Sequence, residues 1–220
     1  MTNRTPPPSP ARASSQSLVV LISGTGSIME AIEQASRDAG YGARIAGVIA
    51  DRAGATGLEI ARAAGIPTAV VSLKDFPDRA TWDDAVARTI ASFSPDLVVC
   101  AGFMKILGGA SLSQFGGRIV NTHPALLPAY PGAHGVKDAL EGGAKVTGCT
   151  VIIVDAGVDT GPIVAQAALD VWDNDTEESL HARIKDIERD LVVTTVGRMA
   201  REGWTVQGRT VRVGHTEEGS

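Results

Sequence analysis

The sequence predicts an α/β fold with a doubly wound, mostly parallel sheet, because two patterns divide the chain. In the first half, short apolar β-rich runs alternate about five times with segments of helical periodicity. In the second half, two long strand-like runs are followed by one long helical segment. The alternation is typical of parallel strands joined by right-handed helical crossovers. We therefore expect a Rossmann-like first half, followed by an antiparallel hairpin and a long C-terminal helix.

The elements of the first half follow from apolar runs and glycine stops. The predicted strands are LVVLIS, ARIAGVIAD, PTAVVSL, PDLVVCAGF and RIVNTH, at residues 18–23, 43–51, 67–73, 95–103 and 118–123. The predicted helices cover residues 28–40, 57–65 and 79–93. Gly40 and Gly65 are expected to end the first two helices.

The elements of the second half follow from longer patterns. Residues 145–173 hold two strand-like runs around a Gly/Asp turn, which predicts an antiparallel hairpin. Residues 176–203 predict a long helix, whose first-turn acids suit the positive end of its dipole. Residues 204–213 alternate around Gln207-Gly208-Arg209 and predict a small terminal hairpin.

Composition and terminal segments bound the organisation of the protein. No linker separates the halves, so we expect one domain at residues 18–214. Residues 1–17 are rich in Pro, Ser and Arg and predict a disordered tail rather than a signal peptide. Residues 215–220 are expected to be flexible. With 44% hydrophobic and 20% charged residues, the class is soluble and globular.

The charge and cysteine content exclude several functions. The net charge is −5 and no basic cluster occurs, which argues against a nucleic-acid partner. No apolar run approaches the ~20 residues that a membrane helix needs. Cys100 and Cys149 lie in apolar runs and predict buried free thiols in a reducing cytoplasm, with a disulfide as the alternative.

The stretch SGTGS, residues 23–27, follows the first predicted strand. Glycines at this place let backbone N–H groups approach an anion at the positive end of a helix, which favours a phosphate site. As a dinucleotide fingerprint it is incomplete, because Met29 occupies the position of the third glycine. Asp51 could still serve as a ribose-binding acid at the end of the second strand. A tight turn without a ligand is the third alternative.

The stretch NTHPALLPAYPGAHG, residues 121–135, ends the fifth strand with two polar side chains and continues as a proline-rich loop. Residues two apart in a strand point the same way, so Asn121 and His123 face one side at the carboxyl end of the sheet. Both can donate hydrogen bonds, and two such donors could stabilise an oxyanion forming at a carbonyl carbon. No nucleophile lies near, so the attacking group is expected to come from a substrate. The alternative is a polar strand end with a structural histidine.

The stretch VDAGVDTGPI, residues 154–163, places Asp155 and Asp159 on a glycine-rich turn. A carboxylate beside His123 would favour its charged form, fix its tautomer and help to move a proton. The alternative is a turn with solvated acids. No carboxylate or cysteine partners His123 and His134 at ligand spacing, so no metal site is expected.

Together with AGFMKIL at residues 101–107, these stretches occur in an order and at spacings that resemble the folate-dependent formyltransferase family. The resemblance covers nearly everything from Leu18 to the long helix. It implies transfer of a formyl group from 10-formyltetrahydrofolate, as co-substrate, to an amine. The nearest branch uses a glycinamide ribonucleotide of purine synthesis as acceptor, and a homodimer is implied as well.

The resemblance also implies roles for single residues. Asn121, His123 and Asp159 match the catalytic trio of the family. The ribonucleotide-binding positions are Gly26, Ser27, Ile28, Lys185, Asp186, Ile187 and Glu188. The folate-binding positions are Arg79, Met104, Lys105, Ile106, Leu107, Asn121, Asp155, Ala156, Gly157, Val158 and Asp159.

Three positions depart from the family pattern. Ile28 stands where Asn is usual, so only backbone amides would hold the phosphate there. Lys105 replaces an Arg, which matters if that group forks onto a carboxylate. Ile152 replaces a frequent His near the centre of the site.

Other functions remain open at this point. A hydrolase of 10-formyltetrahydrofolate, or a formyltransferase for another amine, would use the same trio. The tRNA-specific and hydrolytic relatives carry an additional domain for which this chain has no room. A non-catalytic dinucleotide sensor would rest on SGTGS and Asp51 but leaves the Asn-His and Asp stretches unexplained.

Overall fold

A computed structural model describes residues 15–214 of the protein, and its strands form a single nine-stranded sheet within that range. The strands are β1 Gln16–Ile22, β2 Ala43–Ala50, β3 Thr68–Val70, β4 Leu97–Cys100, β5 Ile119–His123, β6 Val146–Ile153, β7 Ile163–Asp170, β8 Trp204–Gln207 and β9 Thr210–Val213. The helices are α1 Ser27–Ser36, α2 Gly57–Ala63, α3 Arg79–Ser92, α4 Gly109–Phe115, α5 Gly135–Glu141 and α6 Glu177–Glu202. Two 3₁₀ turns lie at Ala39–Tyr41 and Leu73–Asp75.

The sheet has the order β3-β2-β1-β4-β5-β6-β7-β9-β8. The first five strands in this order pair in parallel, and β6 pairs antiparallel with both β5 and β7. β9 joins β7 in parallel through the pair Ile163 and Thr210, and β8 pairs antiparallel with β9. The predicted mostly parallel α/β fold, with its antiparallel hairpin and long C-terminal helix, is therefore confirmed.

Alternate residues of β1 pack on opposite faces of the sheet, which makes the fold doubly wound. Leu18, Val20 and Ile22 belong to a core under α1, α2 and α6. Val19 and Leu21 belong to a second core under α3 and α4. All five side chains are fully buried, as expected for a parallel strand covered on both faces.

Several element boundaries differ from the predictions, and β3 and β4 in particular are shorter than the strands expected at residues 67–73 and 95–103. The first helix ends at Ser36 rather than at Gly40, because a 3₁₀ turn follows in which the Asp38 carboxylate accepts a bond from the Gly40 N–H. β1 begins at Gln16, inside the predicted tail, because the Gln16 N–H donates to the Gly42 carbonyl and the Ser17 N–H to Asp96. The rest of the predicted tail, residues 1–14, and the predicted flexible end, residues 215–220, lie outside the described range.

Two short helices, α4 and α5, were not predicted. α4 has Gly108 at its N-cap, which has no side chain to act as a cap. A residue of α3 accepts the hydrogen bonds from the first N–H groups of α4 instead. The buried Asp83 carboxylate of α3 accepts bonds from Gly108, Ala110 and Ser111, at distances between 2.7 and 3.2 Å. α5 starts after the proline-rich loop without a side-chain cap.

Candidate active site

A cleft of about 700 Å³ opens at the carboxyl ends of β1, β4 and β5. Open α/β sheets bind their ligands at this edge. The cleft brings together most of the predicted site residues, namely Gly26, Ser27, Ile28, Met104, Lys105, Ile106, Leu107, Asn121, His123, Asp155, Gly157, Val158, Asp159, Lys185 and Glu188. Arg79, Ala156, Asp186 and Ile187 do not line it.

His123 lies buried at the end of β5 between two oxygen acceptors, and only 3% of it is exposed. Its Nε2 is 2.8 Å from the Tyr130 carbonyl oxygen, and its Nδ1 is 3.3 Å from Asp159 Oδ2. A carbonyl oxygen can only accept, so Nε2 carries a hydrogen. A second hydrogen on Nδ1 would complete both contacts, so the surroundings fit a charged imidazolium.

Asp159 lies on the turn between β6 and β7, in a left-handed conformation with φ of 54°. Its Oδ2 also accepts a bond of 2.9 Å from the Gly132 N–H, which fixes the carboxylate beside His123. Asp155 holds this turn from within, because its Oδ1 accepts from Gly157 N–H and from Thr160 Oγ1. One of the two predicted acids thus contacts the histidine, and the other shapes the turn.

The proline-rich loop that follows β5 is attached to the antiparallel hairpin. Thr150 Oγ1 accepts from the Leu127 N–H and donates to the Ala125 carbonyl, and Gln166 Nε2 donates to the Leu127 carbonyl. The peptide bond between Leu127 and Pro128 is cis. The fixed loop presents the Tyr130 carbonyl and the Gly132 N–H to the His123–Asp159 pair, which explains why two polar strand-end residues are followed by so stiff a segment.

Asn121 lines the cleft next to His123 and is partly exposed. Within residues 15–214 its side-chain amide makes no hydrogen bond, so its donors are available to a ligand. The neighbouring Ile152, which pairs with Asn121 across the strands, lines the same wall and is almost fully buried.

The SGTGS stretch also lines the cleft, before α1. Gly26 is the N-cap of α1 with φ of 75°, and a Cβ on it would lie 2.7 Å from the Gly57 Cα. Only glycine therefore allows α1 and α2 to approach at this point. Ser27 and Ile28 start α1, so their N–H groups lie at the positive end of the helix.

The dinucleotide alternative finds little support in the structure. Met29 is fully buried in the core under α1. The Asp51 carboxylate, the candidate ribose acceptor, is buried and 3.5 Å from the Lys105 ammonium. Asp51 is thus paired within the protein, and a core side chain occupies the position of the third glycine.

The 104–107 segment is held from two sides. The Met104 N–H donates to Ser23 Oγ at 2.8 Å, which joins the segment to the SGTGS stretch. Arg79 donates to the Ile106 carbonyl and lies over the Trp82 ring, so it supports the segment from behind rather than facing the cleft. Met104 and Ile106 stay exposed and give this end of the cleft an apolar surface.

The face of α6 that lines the cleft carries His181, Lys185 and Glu188. Residues three or four apart share a helix face, which explains why Asp186 and Ile187 point elsewhere. Asp186 is ion-paired with Arg189, and Ile187 packs against a small core with Leu180 and Ile184.

Glu188 is a buried acid whose ionisation is perturbed. Burial raises its pKa above the ordinary value, against the lowering effects of a hydrogen bond from Thr122 and of the charges of His123 and Lys185. Thr122 Oγ1 donates to Glu188 Oε1 at 2.8 Å.

His181 and Thr122 are polar cleft residues that were not among the predicted site residues. Burial, and then the charge of Lys185, lower the pKa of His181. Its position four residues before Lys185 could have revealed it, because that spacing puts both on one helix face. No sequence pattern pointed to Thr122, whose partner lies 66 residues away.

The described residues contain no group of three or more His, Cys, Asp or Glu side chains arranged to hold a metal ion. None of the helices in the same range is long and apolar enough to cross a bilayer.

An open α/β sheet with its cleft at the carboxyl edge, and a histidine–carboxylate pair in that cleft, defines an α/β enzyme that acts on small molecules. The chain belongs to the formyl transferase family, whose model matches residues 16–196.

Individual relatives match between 78% and 96% of this chain. A phosphoribosylglycinamide formyltransferase of Mycobacterium tuberculosis (strain CDC 1551 / Oshkosh) is 53% identical over 211 residues, which cover 96% of this chain and 95% of the relative. The trifunctional purine biosynthetic protein adenosine-3 of Drosophila melanogaster is 46% identical over 173 residues, 78% of this chain and 13% of that protein. The crystal structure of glycinamide ribonucleotide transformylase 1 from Symbiobacterium toebii has a TM-score of 0.88 and 41% identity, and the match covers 92% of this chain and 95% of that one.

Proposed function

We propose that this protein transfers the formyl group of 10-formyltetrahydrofolate to the amine of 5-phosphoribosylglycinamide in purine biosynthesis. The observation that carries the proposal is the 53% identity to a phosphoribosylglycinamide formyltransferase over nearly the full length of both chains. The Asn121, His123 and Asp159 side chains in one cleft support it, because they supply the groups that acyl transfer to an amine requires.

The two ends of the cleft suit two different substrates. The exposed Met104 and Ile106, together with Val158, offer an apolar surface for the ring system of a folate. The N–H groups at the start of α1 and the Lys185 ammonium offer positive charge for the phosphate of the acceptor. We assign the folate to the first end and the ribonucleotide to the second.

In the proposed reaction the acceptor amine attacks the formyl carbon, and the carbonyl oxygen gains negative charge. The Asn121 amide and charged His123 donate to this oxygen. The bond from the carbon to the folate nitrogen then breaks, the folate nitrogen receives a proton, and the amine loses one. Asp159 supports charged His123 and helps to move the proton.

One adjustment is required before His123 can donate in this way, since both of its ring nitrogens face protein acceptors. The 3.3 Å contact between Nδ1 and Asp159 is longer than the roughly 2.7–2.9 Å of a strong charged hydrogen bond. Catalytic hydrogen bonds often tighten when the substrate binds. We propose that the Nδ1 hydrogen is shared between Asp159 and the oxyanion.

The test is an absorbance assay of 10-formyltetrahydrofolate consumption with and without the ribonucleotide. Positioning an acceptor in line with the formyl carbon contributes several kcal/mol to lowering the barrier, so formyl loss should be slow without acceptor and strongly accelerated by it. Equal formyl loss in both reactions would refute the transferase and favour the hydrolase. If only a different amine accelerated formyl loss, that amine would be the acceptor in place of the ribonucleotide.

The cellular setting is part of the proposal. Cys100 and Cys149 are free thiols, and burial raises the pKa of each to about 12. Unreactive free thiols suit a reducing compartment, and we place the reaction in the cytoplasm. The homodimer implied by the family resemblance stays a prediction, which light scattering of the purified protein would test.

A further inference from the structure

Thr122 lies between Asn121 and His123 on β5, and its side chain connects this strand to α6. Its Oγ1 donates to Glu188 Oε1 at 2.8 Å, and both residues line the cleft. Glu188 is only 8% exposed. The three consecutive residues of β5 thus point to two sides of the strand, with Asn121 and His123 on one side and Thr122 on the other.

A buried carboxylate needs donors if it is to stay charged. Burial raises the pKa of Glu188, and the bond from Thr122 is the largest influence that opposes it. A hydrogen bond donated to the charged form of an acid favours that form. The bond from Thr122 therefore favours the charged form of Glu188 and orients its carboxylate, whose Oε2 accepts no hydrogen bond within residues 15–214.

We propose that Thr122 is a positioning residue for the acceptor: its hydroxyl holds the Glu188 carboxylate in one orientation, so that Glu188 accepts a hydrogen bond from a sugar hydroxyl of the ribonucleotide. The inference rests on the proposed function, because it takes the ribonucleotide as the ligand of α6. In this proposal β5 has two functions. Asn121 and His123 act at the reaction centre, and Thr122 contributes to acceptor recognition.

The first test compares Thr122→Val, which keeps the shape and removes the donor, with Thr122→Ser, which keeps the donor. Thr147→Val is the matched control, because Thr147 is also a buried threonine of the sheet but its hydroxyl has no partner among the described residues. Steady-state rates are measured with the ribonucleotide varied and formyl-folate saturating, across a pH series.

We expect Thr122→Val to raise the KM for the ribonucleotide about tenfold, as the loss of a bond to a charged group would, with little change in kcat. The acid limb of its kcat/KM profile should move to higher pH, because Glu188 then ionises less readily. Thr122→Ser should restore both, and Thr147→Val should behave as the wild type.

Two outcomes would overturn the inference. One is an unchanged KM and acid limb in folded Thr122→Val. The other is an equal loss of kcat/KM for the two substrates, with no movement of the acid limb. That result would make Thr122 a purely structural link between β5 and α6.

A second measurement needs no variant and so remains decisive if Thr122→Val does not fold. Acceptor analogues lacking one sugar hydroxyl are compared with the ribonucleotide on the wild-type protein, and at least one should show a raised KM. Equal KM values for all analogues would overturn the inference. Absence of any acceptor-dependent formyl loss in the wild type would instead refute the proposed function itself.

Discussion

At the scale of single residues, the cleft combines side chains that are already engaged with side chains that are free. His123 is fixed on both sides, by the Tyr130 carbonyl and by Asp159, which is itself fixed by Gly132. Asn121 makes no side-chain hydrogen bond within the described residues. In the proposed mechanism the engaged histidine supplies a fixed positive charge, and the free amide supplies the donor whose bond forms only with substrate. Such a difference matters, because only interactions that strengthen in the transition state accelerate the reaction.

Asn121→Ala should therefore test catalysis with little effect on folding. No internal hydrogen bond is lost, while one oxyanion donor is removed, so we expect kcat to fall by about 10²–10³. Thermal unfolding should stay close to that of the wild type. His123→Ala should lose as much activity but also lower stability, because the Tyr130 carbonyl and Asp159 lose their partner. A folded Asn121→Ala protein with wild-type turnover would remove Asn121 from the mechanism.

Glu188→Gln should separate stability from function. Burial raises the folded-state pKa of Glu188 above its ordinary value of 4.5. At pH values between the unfolded-state and folded-state pKa of Glu188, the native state binds a proton that the unfolded state has lost. Raising the pH through that window therefore favours unfolding of the wild type. The variant keeps an acceptor for Thr122 and carries no charge, so its stability advantage should grow as the pH rises, while its KM for the ribonucleotide increases.

Denaturant unfolding at several pH values checks this. Glu178→Gln is the control, because Glu178 is exposed in the first turn of α6, where an acid suits the helix dipole. That variant should not gain stability at any pH. A constant difference between wild type and Glu188→Gln across the pH range would contradict the burial argument.

At the scale of elements, the cleft depends on which face a helix presents and on what caps it. The family resemblance implied that all of residues 185–188 bind the ribonucleotide. Only Lys185 and Glu188 line the cleft, because residues three apart share a helix face. Local patterns predicted the strands and the three long helices, since periodicity is a property of neighbouring residues. They missed α4, because its cap comes from Asp83, 25 residues earlier in the chain. They also missed the contact between Thr122 and Glu188, because these residues lie 66 positions apart in the chain.

Asp83→Ala should show how much α4 depends on this distant cap. Four hydrogen bonds end on its buried carboxylate. The loss of a cap costs about 1–2 kcal/mol, and buried amides left without a partner cost more, so we expect a destabilisation of about 3 kcal/mol. Because the 104–107 segment leads into α4, the KM for formyl-folate should rise more than that for the ribonucleotide.

Asp78→Ala is the matched control for this prediction. Asp78 caps α3 at the surface, where it accepts bonds from the Thr81 N–H and hydroxyl, and its loss should cost about 1 kcal/mol. Chemical denaturation of both variants measures the difference. Equal destabilisation by the two substitutions would mean that α4 is held by packing rather than by Asp83.

At the scale of the whole molecule, the sheet continues beyond the part that the family model matches. That match ends at residue 196, whereas β8 and β9 extend the sheet next to β7. The terminal hairpin was predicted from its alternation, but its place in the sheet was not, because the pair of Ile163 and Thr210 joins residues far apart in sequence. Its position brings Arg209 to the turn that carries Asp159: Arg209 Nη1 donates to the Thr160 carbonyl at 3.0 Å. The turn between β8 and β9 thus contacts the residue that follows Asp159.

Arg209→Ala should lower kcat although the residue lies outside the cleft. The bond to Thr160 restrains the residue directly after Asp159, whose backbone is already in a left-handed conformation. Small displacements of a catalytic group can cost up to about 10²-fold in rate, so a loss within that limit is expected, with both KM values little changed. Arg212→Ala is the matched control, because Arg212 is an exposed arginine on the same hairpin and its loss changes the net charge equally. If both variants lost the same activity, charge rather than the Thr160 contact would explain the effect. If neither did, the hairpin would stabilise the sheet without positioning Asp159.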